Sequence, residues 1–202
     1  MIPRLLLSLA SMALALPLLA AEPAAASADE LWQRLQAGGH VLVVRHAATE
    51  PGLGDPPGFV LGDCATQRNL SAPGRADAQA LGAAVRHHGV PVARVLSSRW
   101  CRCQDTARLA FGRVEAVAML DSMMYDGDAA RARKLAELRQ SVLAWQAPGN
   151  LVLVTHDVNI RALTGDRLAQ GEMLVATRRP DGTLAVVGRL GMPKSVDAVQ
   201  SM

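Results

Sequence analysis

The sequence predicts an α/β fold: a three-layer α/β/α sandwich with helices on both faces of a mostly parallel sheet. Three observations carry that prediction. Two short, β-branched apolar runs, Val41-Leu42-Val43-Val44-Arg45-His46 and Leu151-Val152-Leu153-Val154-Thr155-His156, read as buried strands. Helical stretches alternate with these runs and with a third, Val92 to Ser97, as parallel strands require. Last come two β-like runs, Met173 to Thr177 and Thr183 to Arg189, on either side of Arg178-Arg179-Pro180-Asp181-Gly182, whose Asp-Gly pair signals a hairpin.

Each element has a local reason. Asp29 to Ala37 places Leu31, Trp32 and Leu35 on one helical face and stops at Gly38-Gly39. The first strand spans about His40 to Arg45. Pro51-Gly52-Leu53-Gly54-Asp55-Pro56-Pro57-Gly58 is dense in turn formers and reads as a surface loop, placed where it would cover a ligand beside His46. Ser71 caps a helix that continues to about His88 and ends at Gly89, with His87 and His88 as surface residues complementing its dipole. Further helices cover roughly Arg102 to Phe111 and Ala129 to Trp145, and Pro148-Gly149-Asn150 turns into the second histidine strand. The tail from Gly191 shows no period.

Composition bounds the rest. A chain of 202 residues, half of them hydrophobic, suits one domain with a sizeable core. Met1 to Ala21 has Arg4 near its start and then an uncharged stretch from Leu5 to Leu19, the pattern of a cleaved export signal. An A-x-A site at Ala26-Ser27-Ala28 divides the chain into a signal, residues 1–28, and a domain, residues 29–202; an earlier cut near Ala20-Ala21 is the alternative. The uncharged run falls short of the roughly 20 residues of a bilayer span, so no stable membrane insertion is expected after cleavage. The expected location is the periplasm or the exterior. A net charge of +3, unchanged by loss of Arg4 and Glu22, is too mild to imply a nucleic-acid partner. Lys134 and Lys194 are the only lysines.

Three cysteines in an exported chain allow one bridge with one thiol left over. No C-x-x-C pair or histidine cluster accompanies them, so zinc is not expected. If Cys101-Arg102-Cys103 is extended, both thiols turn away from the side that Arg102 takes. A Cys64–Cys101 bridge would then pin the loop after Gly62 to the arginine-bearing segment.

In an open α/β sheet, ligand chemistry sits beyond the carboxyl ends of the strands. Arg45, His46 and His156 stand there, and Arg102 follows Ser97-Ser98 closely. Two guanidinium forks match phosphate oxygens and an imidazole can attack phosphorus, so the constellation suits a phosphoryl group. A buried arginine needs an anion, and the competing account pairs Arg45 structurally with Asp157 or Asp63. Thr49 adds a hydroxyl near His46. Arg68 and Arg99 are rim residues in reach of the remainder of a substrate.

These residues resemble the histidine phosphatase superfamily, the phosphoglycerate-mutase-like fold. The matching elements are Val43-Val44-Arg45-His46, Asn69-Leu70-Ser71-x-x-Gly74, Ser97-Ser98-x-x-x-Arg102-x-x-x-Thr106-Ala107 and Val154-Thr155-His156, in order across nearly the whole mature chain. The resemblance implies His46 as a nucleophile forming a phosphohistidine, with Arg45, Arg102 and His156 completing a positive pocket and no metal or other cofactor. Asp157, directly after His156, resembles the proton donor of the acid phosphatase branch; chain order in the mutase-like branch points instead to Asp121 or Asp126, and a helix N-cap is the bland role for Asp157. Ala47 departs from the family's usual glycine, which bears on the loop only if positive φ is needed there.

Cys64-x-Thr66-Gln67-Arg68-Asn69-Leu70-Ser71 looks similar to exported members acting on phosphorylated envelope sugars such as lipopolysaccharide core heptose. The expectation is a monomeric exported phosphomonoesterase for a small phosphomonoester or phosphorylated glycan. The alternative is a phosphate-ligand binding protein on the same fold, its chemistry lost. A mutase role fits export badly.

Overall fold

The computed structural model describes residues 26–193. The expected export signal lies largely outside them, as does the end of the tail beyond Gly191. Six strands form one sheet among the described residues: β1 (Val41–Arg45), β2 (Val92–Ser97), β3 (Glu115–Ala116), β4 (Asn150–Thr155), β5 (Met173–Arg178) and β6 (Leu184–Leu190). Their order is β3-β2-β4-β1-β5-β6. The first four are parallel to one another, and the closing hairpin joins β1 antiparallel through β5.

Among the described residues five α-helices cover the sheet: α1 (Ala28–Ala37), α2 (Ala72–His87), α3 (Cys101–Phe111), α4 (Asp128–Ala144) and α5 (Asp157–Thr164). Side-chain alternation along the strands explains the two apolar layers. Leu42, Val44, Val152 and Val154 pack with Leu31 and Leu35 of α1, Leu81 and Val85 of α2, and Ala107 of α3. Val41, Val43, Leu151 and Leu153 face the other way, toward Leu138 and Val142 of α4 and Ile160 of α5. Strands buried on both faces must be apolar at every position, which is why β1 and β4 read as unbroken runs. Each fully buried Leu or Val there contributes about 1.5–3 kcal/mol.

Ala26-Ser27-Ala28 opens α1: Ser27 Oγ accepts from Glu30 N at 3.3 Å, while Ser27 N donates to the Glu30 carboxylate at 2.7 Å. This capping box satisfies two backbone donors. A cut after Ala28 would remove it, whereas the earlier cut would keep it. At the other end of the layer His88 stacks on Trp32, with ring centroids 4.4 Å apart, so it docks α2 against α1 as well as closing its own helix.

Cys101 to Cys103 is not extended. It forms the first turn of α3, so alternate residues do not share a side and Cys103 turns into the protein, completely buried. Cys64 and Cys101 are nevertheless bridged, with Cα atoms 5.7 Å apart and a sequence separation of 37. A loop of that length restricts the unfolded chain by roughly 4 kcal/mol in the chain-entropy account.

Pairing also continues past the sheet. Glu50 N donates to Asn69 O at 3.0 Å and Ser71 N to Ala48 O at 3.1 Å, so the segment after His46 lies against the entry to α2. Ser71 Oγ caps α2 by accepting from Gly74 N. Gly74 is needed for space: a Cβ there would stand 1.9 Å from Ala48 O, a backbone atom that cannot rotate away. Gly74→Ala is therefore expected to cost about 2–3 kcal/mol by overpacking, read as a lower denaturant midpoint at unchanged slope.

Candidate active site

Strand register brings the two histidines together. Arg45 lies level with Thr155 in the parallel β1–β4 pair, so His46 and His156 are the first residues past neighbouring strand ends. His46 N donates to Thr155 O and Ser98 N to Val154 O, each at 3.0 Å, which sets the end of β2 in the same row. The imidazole centroids are 5.5 Å apart, edge to face. Arg45, His46, Arg102 and His156 line one cavity of about 580 Å³.

His46 is buried, and its Nδ1 lies 2.9 Å from Ala47 O. A carbonyl only accepts, so Nδ1 carries the proton and Nε2 keeps its lone pair. Burial, aided by the Arg102, Arg45 and Arg68 charges, lowers the His46 pKa to about 3, against the Ala47 hydrogen bond that opposes the shift. The imidazole is thus neutral at any ordinary pH, as a nucleophile must be. His156 is held well below its usual value as well, by burial and then by His46 and Arg102. It therefore adds no positive charge; the pocket's charge comes from its arginines. His156 Nε2 lies 2.9 Å from Ser98 Oγ and 3.6 Å from Cys103 Sγ. Burial pushes the Cys103 thiol up to about 12, so it packs as a neutral group.

The arginines are anchored at one edge and open at the other. Arg45 Nη1 donates to Leu168 O, and Arg102 donates to Asp55 through Nη1 at 2.7 Å and Nη2 at 3.3 Å. The Nε atoms of both are buried and find no partner among the described residues. Buried guanidinium donors without acceptors beside a neutral imidazole form a site able to take a tetrahedral oxyanion.

A family model described as histidine phosphatase superfamily (branch 1) matches residues 41–125. Among curated proteins none matches the sequence significantly. Solved structures share the fold. An alpha-ribazole phosphatase from Shigella flexneri is 19% identical with a TM-score of 0.56, the match covering 78% of this chain and 98% of that one. A phosphoserine phosphatase from Entamoeba histolytica in complex with 3-phosphoglyceric acid is 13% identical with a TM-score of 0.54, over 75% and 96%. The protein histidine phosphatase SixA complexed with tungstate is 13% identical with a TM-score of 0.51, over 75% and 96%.

The other expected residues are placed less uniformly. Asp157 is the first residue of α5 and lines the cavity, but His156, not Asp157, occupies the N-cap. Its Oδ2 accepts from Arg167 at 2.7 and 3.1 Å and its Oδ1 from Leu168 N. Burial would raise its pKa, yet those hydrogen bonds outweigh it and hold the carboxyl low. Asp121 accepts from Arg99 N, Arg99 Nε and Ser98 Oγ, and Asp126 pairs with Lys134 at 2.7 Å. All three acid candidates border the cavity. Arg45 forms a direct ion pair with neither Asp157 nor Asp63, contrary to the structural alternative.

Thr49 is not among the cavity residues. Its hydroxyl accepts from Arg68 Nη1 at 2.7 Å and from Gln170 Nε2 at 3.2 Å, because the pairing with Leu70 turns it toward the loop. Arg68 does border the cavity, but its donors go to Thr49 and to the Gly52 and Gly54 carbonyls. From the rim of the cavity it organises the loop. Ala47 causes no distortion: no non-glycine residue among those described has positive φ, and its N–H donates to Thr106 Oγ1 at 3.0 Å. Positive φ is thus not required at this position, and the methyl packs with Leu70 and Ala78.

Two contributors were not singled out from sequence. Asp55 sat among turn formers and read as one of them. Asn159 holds the Leu120–Met123 segment by donating to Leu120 O and Asp121 O and accepting from Met123 N. No local pattern marks either; their partners are distant in the chain. Among the described residues no group of three His, Cys, Asp or Glu side chains is placed to hold a metal ion.

The depressed histidines couple stability to pH. A group whose pKa falls on folding binds more protons unfolded, so its contribution is complete above the unfolded value of 6.5 and is lost as pH falls toward the folded value of about 3. Denaturant unfolding at pH 7 and pH 5 should show a loss of roughly 2 kcal/mol from His46 alone. His46→Ala should reduce that loss.

Proposed function

We propose that this protein is a phosphomonoesterase working through a covalent phosphohistidine on His46. The observation that carries the reading is the neutral His46, its Nε2 free, set among buried guanidinium donors that lack an acceptor. In the first half-reaction Nε2 attacks phosphorus, the ester P–O bond breaks, and the leaving oxygen takes a proton from a carboxylic acid. In the second, water attacks the phosphohistidine and gives its proton to the carboxylate left by the first step, the P–N bond breaks, and phosphate, the imidazole and the carboxylic acid are restored. Arg45 and Arg102 stabilise charge on the transferring oxygens by position, as phosphoryl transfer requires.

Asp157 is the acid we assign. Its counterion, Arg167, is largely exposed and free to swing away, whereas Asp121 is buried under several donors. A bound phosphate dianion opposes ionisation of a neighbouring carboxyl and so raises its pKa toward that of a usable donor.

The substrate we favour is a small phosphomonoester, with a phosphorylated envelope sugar as the specific reading and the periplasm or exterior as the location, acting as a monomer. The export pattern at the N-terminus, the Cys64–Cys101 bridge and a cavity walled by Phe59, Trp100 and Tyr125 support that reading. The same fold without turnover, as a phosphate-ligand binding protein, is the second reading; Ala47, the residue that would have favoured it, sits without strain.

Turnover of an aryl phosphate should vanish in His46→Ala. In Arg102→Ala it should fall by about two to three powers of ten, on the order of 3–4 kcal/mol. Near-full activity in either variant contradicts the assignment, and no acid-labile phosphoprotein during steady turnover contradicts the intermediate. Asp157→Asn should slow alkyl phosphates far more than nitrophenyl phosphate, whose leaving group needs no proton. Equal slowing of both substrates would transfer the acid's role to Asp121 or Asp126.

A further inference from the structure

Asp55 lies on the turn-rich loop after His46, yet its carboxylate is one of the most heavily engaged in the molecule. Oδ1 accepts from Arg102 Nη1 at 2.7 Å and from Arg68 N at 3.0 Å; Oδ2 accepts from Trp100 Nε1 at 2.9 Å and from Arg102 Nη2 at 3.3 Å. The Arg102 and Asp55 side chains are only 5% and 7% exposed. The loop that carries Asp55 is itself tied down. Arg68 holds the Gly52 and Gly54 carbonyls, Cys64 is bridged to Cys101, and Cys101 N donates to Gln67 Oε1.

We propose that Asp55 is a positioning residue for phosphoryl transfer: it clamps the Arg102 guanidinium by its two terminal nitrogens and leaves the Nε edge for the phosphoryl oxygens. The inference rests on the function proposed above and adds a residue to it. A guanidinium has five N–H donors in a planar fork, and two different edges can each grip an anion. Asp55 uses the terminal edge, one N–H from each Nη. Nη1 also donates to Arg68 O at 3.3 Å, whereas Nε, on the side edge with the second N–H of Nη2, is buried and makes no hydrogen bond among the described residues.

One cation can thus serve two anions at once. The carboxylate weakens the field of Arg102 but removes its rotational freedom before substrate arrives, so that no reorganisation is needed when charge develops on phosphorus. Without Asp55, Arg102 would be a buried charge lacking its fixed partner and would turn to find another. The Cys64–Cys101 bridge fits this role, because it ties the base of the Asp55 loop to the residue adjacent to Arg102.

A competing account makes Asp55 a self-ligand standing where the phosphoryl group must go, and it predicts the opposite sign. The test uses the full chain with its disulfide intact. It compares wild type, Asp55→Asn, Asp55→Ala, Arg102→Ala and the double variant by kcat and KM for an aryl phosphate and by calorimetric affinity for tungstate. Positioning predicts that Asp55→Asn loses about ten- to a hundredfold in kcat/KM, mostly in kcat, and binds tungstate about tenfold more weakly. It also predicts that Asp55→Ala adds nothing further in the Arg102→Ala background, the non-additivity of two groups acting as one.

Tighter tungstate binding or faster turnover in Asp55→Asn would overturn the proposal in favour of the self-ligand. Unchanged values would make Asp55 a bystander, and additive losses would show that it acts other than through Arg102. If Asp55→Ala fails to fold, the near-isosteric Asp55→Asn carries the cycle. If the wild type shows no His46-dependent turnover, the proposed function fails, while the tungstate arm, repeated in His46→Ala, still decides the role of Asp55.

Discussion

The parallel pairing of β1 with β4 is the constraint on which the site depends, because it sets two strand ends level and makes His46 and His156 neighbours. One residue of slip would send every side chain of β1 to the opposite layer, Val41 and Val43 exchanging faces with Leu42 and Val44. Both layers are filled, so the register has no alternative of comparable energy. The precision with which the two imidazoles are placed is therefore inherited from the core. The antiparallel β5 on the far side of β1 closes the same arrangement, and α1 to α3 against α4 and α5 hold it from both faces.

Burial that stabilises the sheet also sets the chemistry. Imidazoles placed at the ends of buried strands lose water, and adjacent arginines oppose their protonation further. The result is a pair of neutral rings in a cationic pocket, an arrangement that water would level and a low-dielectric site preserves. Arginine is suited to the companion role for the reverse reason. Burial lowers the Arg45 pKa too, but from so high a starting value that the side chain stays charged. Neutral imidazoles and permanent cations thus coexist without any carboxylate bridging Arg45 to His46. The carboxylates that do approach, Asp55, Asp121 and Asp157, are each spent on an arginine.

The loop from Glu50 to Asp63 joins the two halves of the site, and it is held by side chains rather than by secondary structure. Arg68 gathers its carbonyls, Asp55 reaches Trp100 and Arg102, and the disulfide closes its base. A segment so rich in glycine and proline has little regular structure of its own to lose, so these few anchors decide where it rests. That is a common way for a rigid scaffold to carry a variable substrate wall.

From the sequence alone one could read the α/β class, four of the five described helices (all but α5), the hairpin, and Arg45, His46, Arg102 and His156 as one group. Those features are written in local signals: apolar runs of strand length, a serine cap, glycine stops, and polar residues at strand ends. The same residues carried the resemblance to the histidine phosphatases, and the bridge between Cys64 and Cys101 was within reach because three thiols leave few pairings. What the chain did not disclose depends on partners far apart in sequence. Asp55 looked like one more turn former until its carboxylate met Arg102, 47 residues on. Thr49 looked available to a ligand until the pairing with Leu70 turned it to Arg68. The thiols beside Arg102 were placed by an extended-strand rule that fails once the segment coils into α3. Local periodicity is a property of the backbone and can be read one segment at a time; which charge meets which is a property of the assembled core, and only packing decides it.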